Sequence, residues 1–248
     1  KMYQSFTIDK KLKKIIAMTS RYTRQIALPE IGETGQERLS RARVLIIGVG
    51  GLGAPIALYL TAAGIGTIGL IDDDVVSLSN LQRQVLYSEA EVGQPKVICA
   101  ARRLHELNSQ TSIHTYQTRL TRLNAEKLIA EYDIVIDGCD NFTTRYLISD
   151  ASSRLGKPYV YGAIQGFEGQ VSVFNYGEQP HTYRDLYPDE ANMLQLTPDS
   201  SVIGITPAVV GSMEANEVLK IVCGYGDVLS GKLWTIDLRT LQTYQLAF

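Results

Sequence analysis

Six consecutive residues, Gly48-Val49-Gly50-Gly51-Leu52-Gly53, constrain this chain more than any others. They come after the aliphatic run Val44–Ile47 and lead into the helical pattern Ala54–Ala63, where Pro55 falls in the first turn and its missing N–H costs nothing. A glycine cluster between a buried strand and a helix is where a phosphate loop belongs. Gly48 permits the tight turn, Gly50 lets backbone N–H groups approach phosphate oxygens, and Gly53 lets helix pack closely on strand. The helix N-terminus adds unpaired donors and a partial positive charge. The next strand, Thr67–Ile71, is closed by Asp72-Asp73-Asp74, with Asp72 placed 19 residues beyond Gly53. A carboxylate there accepts ribose hydroxyls. Glycines that serve only packing are the competing reading, and the order strand, loop, helix, strand, acid favours nucleotide binding. It does not separate a dinucleotide from ATP.

The rest of the chain repeats the alternation. A helix runs from Pro95 to about Leu107, succeeded by strand Ser112–Tyr116, helix Asn124–Ala130, strand Asp133–Asp137, helix Thr143–Leu155 and strand Tyr159–Tyr161. Strands separated by helices of about 10–15 residues imply right-handed βαβ units and a mostly parallel sheet. The last third changes character. Gly169–Tyr176 alternates with period two, Gly177–Ile203 carries three prolines and little periodicity and reads as a long loop, Thr206–Val222 is helical, and Lys232–Asp237 with Thr240–Leu246 forms a hairpin. The expected class is α/β: a Rossmann-like, doubly wound, mostly parallel sheet with antiparallel strands at its C-terminal side. Residues 21–248 are expected to form one domain. Residues 1–20 are set apart by Lys10, Lys11, Lys13 and Lys14 around Leu12, Ile15 and Ile16, a short basic amphipathic leader.

Composition removes several classes. Of 248 residues, 24 are basic and 26 acidic, a net charge of −2 that argues against a dedicated nucleic-acid binder. No apolar run approaches the ~18 residues of a membrane span. Three cysteines and no Cys-x-x-Cys exclude a disulfide framework. A cytoplasmic protein, contacting neither membrane nor nucleic acid, is expected.

The residues beyond the acidic triplet separate the cofactors. Leu78-Ser79-Asn80-Leu81-Gln82-Arg83-Gln84 puts Asn80 and Arg83 about one helical turn apart, and Lys96 heads the next helix. Asp140-Asn141 lies beyond strand Asp133–Asp137, at the carboxyl edge of the sheet where α/β proteins bind ligands. A hydride-transfer enzyme has little use for an acid there, since Asp140 repels a pyrophosphate unless a metal ion intervenes. Mg²⁺ between a carboxylate and phosphate oxygens is the usual solution. Arg83 and Lys96 then meet charge developing on phosphorus and on departing pyrophosphate. Taken singly, each has a plainer reading: Arg83 and Lys96 as surface charges, Asp140 as the cap of the helix near Thr143.

At these residues the sequence resembles the ThiF/MoeB/HesA family, bacterial relatives of ubiquitin-activating enzymes. The resemblance runs from Arg21 to about Leu246 and rests on Arg21-Tyr22-Thr23-Arg24-Gln25, the Gly48–Gly53 loop, Asp72-Asp73-Asp74, Ser77–Gln84, Val92–Lys96 and Asp137–Asn141. It implies adenylation, with Mg-ATP, of the C-terminal glycine carboxylate of a ubiquitin-like sulfur carrier that ends in Gly-Gly and is ThiS- or MoaD-like, in thiamine or molybdenum cofactor biosynthesis. It implies that Asp72 binds ribose, that Asn80, Arg83 and Lys96 bind the phosphates, and that Asp140 holds magnesium. Gly48, Gly50, Gly51, Gly53, Asp74, Gln84 and Asn141 complete the nucleotide-contacting set. Arg24 matches an arginine that reaches the neighbouring subunit's ATP site, which implies a homodimer; left to itself, the sequence favours a plain surface role for Arg24. An α-carboxylate is already ionised at neutral pH, with a pKa of roughly 3.3–3.7, so no general base is required. His105, His114 and His181 stand outside the set.

Two departures qualify the resemblance. Where many relatives carry the first Cys-x-x-Cys of a structural zinc site, this chain has Thr182-Tyr183-Arg184-Asp185, so no zinc is expected. Met193–Ser201, the crossover loop, holds no cysteine, which puts a covalent sulfur intermediate there in doubt and leaves sulfur delivery to a separate protein. Cys139, Cys99 and Cys223 read as packing residues. Adenylation of a peptide or tRNA-nucleoside carboxylate, an NAD-dependent oxidoreductase, and a non-catalytic carrier-binding scaffold are the rival readings.

Overall fold

The computed structural model describes residues 21–196 and 201–248; the basic leader lies outside them. Eight strands form one sheet in the order β3-β2-β1-β4-β5-β6-β7-β8. These are β1 (Arg43–Ile47), β2 (Thr67–Ile71), β3 (Ser112–Tyr116), β4 (Ile134–Asp137), β5 (Tyr159–Gln165), β6 (Glu168–Phe174), β7 (Lys232–Asp237) and β8 (Gln242–Ala247). The strands β3-β2-β1-β4-β5 are parallel, and β5-β6-β7-β8 are antiparallel. Ile47 of β1 pairs with Ile71 of β2 on one side and with Asp137 of β4 on the other, so the three carboxyl ends finish level. The chain leaves β1 toward β2 and β3, then returns to β4 on the opposite side. That reversal puts the topological switch point, where α/β sheets bind ligands, at the carboxyl ends of β1 and β4.

The central strands are mostly apolar because both sheet faces are covered, with Asp137 at the end of β4 the buried exception. Val44 and Ile46 point to one core with Ile68, Leu70, Ile136 and Val160; Leu45 and Ile47 point to the other with Val135, Ile148, Tyr159 and Tyr161. Helices α1 (Gly32–Arg41), α2 (Gly53–Ala63), α3 (Lys96–Leu107) and the long C-terminal helix Ile205–Cys223 contribute to the first core. Helices α4 (Ala125–Ala130) and α5 (Phe142–Arg154) contribute to the second. α2 is apolar nearly all round, as its place between the sheet and the C-terminal helix demands. At Gly211 the two helices meet so closely that a β-carbon would stand 2.6 Å from the Leu52 carbonyl oxygen.

Two expectations from the sequence are corrected. The segment 177–203 is not a featureless loop, since α6 (Tyr183–Leu186) and α7 (Glu190–Met193) lie within it, and 197–200 are outside the described residues. Each short helix is held by its cap rather than by periodicity: Thr182 and Asp185 form a reciprocal capping box, and Asp189 accepts the Asn192 amide at 3.0 Å. Tyr183 anchors α6 in an aromatic cluster with Tyr146, Tyr161, Phe174 and Tyr187. β5 also runs to Gln165 instead of ending at Tyr161. Gly162 and Ala163 have weak strand preference, but pairing with Val171 and Gln170 of β6 carries the strand on. The C-terminal helix, here α8 (Ile205–Cys223), ends at Gly224 in the left-handed conformation.

Candidate active site

The glycine loop is compressed against its neighbours. Gly48 has φ +91°, and a β-carbon there would lie 2.5 Å from the Gly138 carbonyl oxygen. The Gly48 carbonyl oxygen is in turn 2.1 Å from where a β-carbon on Gly53 would sit and 2.2 Å from one on Gly138. The loop after β1, the start of α2 and the exit of β4 are thus locked together. Val49 is fixed at both peptide groups: its amide donates to Asp72 Oδ2 (2.8 Å) and its carbonyl accepts from the Tyr87 hydroxyl (2.7 Å). Burial, and then the Asp72 charge, push the Tyr87 phenol well above its ordinary pKa, so it stays a donor. Among the described residues no group accepts from the amides of Gly50, Gly51 or Leu52. Unspent amides at a helix N-terminus bind anions.

The polar residues after β2 turn back onto this loop. Leu78–Asn80 form a single 3₁₀ turn, and the Asn80 carbonyl accepts the amides of Arg83 (3.0 Å) and Gln84 (2.9 Å). Arg83 Cδ lies 3.6 Å from the β-position of Gly51, and Gln84 Nε2 lies 3.4 Å from that of Gly50. Arg83 donates to the Ser79 carbonyl at 3.3 Å. Gln84 is buried, and its Oε1 has no hydrogen-bond partner. Pro207 of α8 reaches the same glycine as Arg83, 3.2 Å from the Gly51 β-position, a contact with no local signal in the sequence.

Lys96 is not a surface charge. Its side chain is 5% exposed, with Nζ 3.0 Å from Asp74 Oδ2, and its amide donates to the Asp74 carbonyl at 3.0 Å. Asp72 Oδ1 accepts the Asp74 amide (2.9 Å), so Asp72, Asp74 and Lys96 form one connected chain beside the loop. Asp73 faces Arg119 instead, at 3.0 Å. Two of the triplet's three charges are therefore compensated by cations.

The plain reading of Asp140 as a helix cap is overturned. Asn141 caps α5, its Oδ1 accepting the Thr144 amide at 2.9 Å, while Nδ2 points to Asp140 Oδ1 at 3.4 Å. Asp140 is left exposed just past the end of β4, one residue beyond the Gly138 and Cys139 stretch that abuts Gly48. Cys139 is half-buried; burial, then the Asp137 charge, raise its thiol pKa, which keeps it protonated and unreactive. Cys99 and Cys223 are buried.

Arg24 stands apart. Its segment is pinned by Tyr22, whose hydroxyl accepts from Asn108 Nδ2 (2.8 Å), and by Gln25, which donates to the Ala63 carbonyl (3.1 Å). Both anchors lie at the C-terminal ends of helices whose N-termini border the site. The eleven residues of α2 place about 16 Å between that end and the glycine loop. Arg24 is exposed and does not join its own chain's Arg83, Lys96 and Asp140.

A glycine loop with unspent amides, beside Arg83 and the buried Lys96 and with the exposed Asp140 carboxylate just past the end of β4, defines a nucleotide-binding α/β protein equipped for chemistry at phosphorus. More narrowly, the chain belongs to the ThiF family, whose model matches residues 22–247. It is 47% identical over 223 residues to a sulfur carrier protein adenylyltransferase of Thermus thermophilus, covering 88% of this chain and 82% of that one. It is 43% identical over 225 residues to a probable molybdopterin-synthase adenylyltransferase of Porphyra purpurea, and 46% identical over 224 residues to the probable adenylyltransferase/sulfurtransferase MoeZ of Mycobacterium tuberculosis. Those alignments cover 90% and 88% of this chain but only 59% and 57% of the relatives. Among solved structures, PaaA aligns over 92% of this chain and 73% of its own with a TM-score of 0.78 and 26% identity. MccB of E. coli aligns over 92% and 69% with a TM-score of 0.80 and 24% identity, a likeness of fold.

Proposed function

We propose that this chain adenylates the C-terminal glycine carboxylate of a ubiquitin-like sulfur carrier, with ATP and Mg²⁺, releasing pyrophosphate, in thiamine or molybdenum cofactor biosynthesis. The observation that carries the reading is the exposed Asp140 carboxylate, spared from capping by Asn141 and two residues past Gly138, which abuts the glycine loop at Gly48. The donor set suits ATP. Asp72 keeps carboxylate lone pairs for ribose hydroxyls beyond the two amides it already accepts. The amides of Gly50–Leu52 and the side chains of Asn80, Arg83 and Lys96 are the phosphate donors. Mg²⁺ held by Asp140 supplies charge neutralisation between carboxylate and phosphate. Lys96 exchanges part of its pairing with Asp74 for phosphate oxygen. Arg83, on the loop side, stabilises charge as pyrophosphate departs. Alignment and electrostatics suffice because the attacking carboxylate arrives ionised.

The same reading makes the enzyme a homodimer. Arg24, about one helix length from its own glycine loop, serves the site of the partner subunit. Sulfur comes from a separate donor protein, since the crossover segment 193–201 has no cysteine. No zinc is assigned: Asp185 spends its carboxylate on the Thr182 amide and hydroxyl, and Arg184 grips Asp150 through two hydrogen bonds of 2.8 and 3.0 Å. Among the described residues no helix is long and apolar enough to cross a membrane, and the proposed setting is the cytoplasm.

Carrier-dependent exchange of labelled pyrophosphate into ATP tests the function. Exchange with a ThiS-like or MoaD-like carrier, lost when its terminal glycine is removed, is the expected result. Failure with every carrier, or preferential binding of NAD over Mg-ATP, overturns the reading.

A further inference from the structure

Asp140 stands on a stretch of main chain that is held from both sides. Asp137, wholly buried at the end of β4, accepts the Cys139 amide on Oδ1 at 2.9 Å. Its Oδ2 accepts Arg145 Nε at 3.1 Å and the Tyr159 hydroxyl at 2.9 Å. Arg145 is 6% exposed, and its guanidinium stretches across the exit of the strand, Nη2 donating to the Cys139 carbonyl (3.2 Å) and reaching the Gly162 carbonyl (3.4 Å). Its Cζ lies over the rings of Phe142 and Tyr161, 5.7 and 5.5 Å from their centroids. Both peptide groups of Cys139 are therefore tied to one buried ion pair, immediately before Asp140. On the other side Asn141 is fixed by capping α5.

A buried ion pair is weak evidence for stability, because apolar residues of the same volume often serve as well. Its geometry here points elsewhere, to a main-chain clamp beside an exposed carboxylate. We propose that Arg145, braced by Asp137 and Tyr159, is a positioning residue that sets the Asp140 carboxylate for a divalent cation. The proposal rests on Asp140 being the residue that holds Mg²⁺. Partners that orient a metal ligand from behind are worth about 10–100-fold in metal affinity. None of the three hydrogen-bonds to the glycine loop, Arg83 or Lys96, so metal-free nucleotide binding is expected to survive the conservative variants Arg145→Lys and Tyr159→Phe.

The test uses Arg145→Lys and Tyr159→Phe in the full chain, the second removing a single hydroxyl from an intact ring. Mn²⁺ binding is read by electron paramagnetic resonance in the presence of a non-hydrolysable ATP analogue, beside thermal melts and metal-free nucleotide titrations. The expected result is Mn²⁺ affinity weakened on the order of tenfold, with unchanged metal-free nucleotide affinity. The Mg²⁺ concentration for half-maximal pyrophosphate exchange rises in step. Folded variants with wild-type Mn²⁺ affinity overturn the proposal; if Arg145→Lys does not fold, Tyr159→Phe decides alone. Asp140→Asn separates the two levels. If it abolishes Mn²⁺ binding while the clamp variants do not weaken it, only the clamp falls. If Asp140→Asn binds Mn²⁺ like wild type, the site reading falls and the clamp with it.

Discussion

Arg83 and Glu214 mark two extremes of how a charged side chain is used in this molecule. Arg83 is half-buried, beside the glycine loop, and its proposed work is done chiefly in the transition state. Arg83→Ala is expected to lower turnover about 10²–10³-fold with little change in ATP affinity, measured by exchange kinetics against nucleotide titration. Equal losses in both place Arg83 in ground-state binding instead. Glu214, on α8, is fully buried, with neither carboxylate oxygen hydrogen-bonded, against the space left by Gly162. Burial first, then the Asp137 charge, raise its pKa well above the ordinary carboxyl value, so the folded chain keeps a proton that the unfolded chain releases. Stability contributed in this way is whole below the unfolded-state pKa and is lost as pH rises, by up to about 1.4 kcal/mol per pH unit, until the folded-state pKa is passed. Urea unfolding from pH 5 to pH 8 should show that decline in the wild type and its flattening in Glu214→Gln; equal slopes contradict it. At this scale the sequence displayed Asp72, Arg83, Lys96 and Asp140 because each comes after a strand end or a glycine turn. Arg145, Tyr87 and Glu214 carried no such signal, and Asp137 was legible as a strand end but not as an ion-pair partner, since these roles arise only when distant elements meet.

The elements that build the site were legible where local chemistry and tertiary demand agree. The Val44–Ile47 strand, the glycine loop and α2 fall where the pattern places them, because a run buried on both faces, a glycine turn and an early proline all point the same way. Legibility failed where packing overrode preference, as at Gly162-Ala163 within β5, or where caps replaced periodicity, as in α6 and α7. The interlock of Gly48 with Gly53 and Gly138 belongs to this scale too. The sequence shows a glycine at 138, but not that the Gly48 carbonyl presses against it. Gly138→Ala puts a methyl 2.2 Å from that oxygen. The expected outcome is a loss of about 1–3 kcal/mol in urea denaturation together with weakened ATP binding, because the loop and the exit of β4 must part. A variant of wild-type stability shows that the two segments separate freely.

At the scale of the whole molecule, alternation of strands and helices announced the parallel half of the sheet and the period-two segments its antiparallel half, whereas the strand order that creates the switch point is a tertiary result. The surface that distinguishes one carrier from another is not readable, because it is built from residues that meet only when two proteins dock. Arg24 tests the proposed assembly. Arg24→Ala and Arg83→Ala should each be inactive alone. Mixed and allowed to exchange subunits, they should regain up to about a quarter of wild-type exchange activity, the share of intact sites in a randomly reassorted isologous dimer. No recovery places Arg24 outside the partner's site. The central claim, that phosphates bridged by metal lie along the carboxyl edge between β1 and β4, is most directly tested by a crystal structure with Mg²⁺ and a non-hydrolysable ATP analogue. The expected density has phosphate oxygens on the amides of Gly50–Leu52 and the metal on Asp140. Asp140 turned away from the nucleotide, with the phosphates bound elsewhere, is the contrary result.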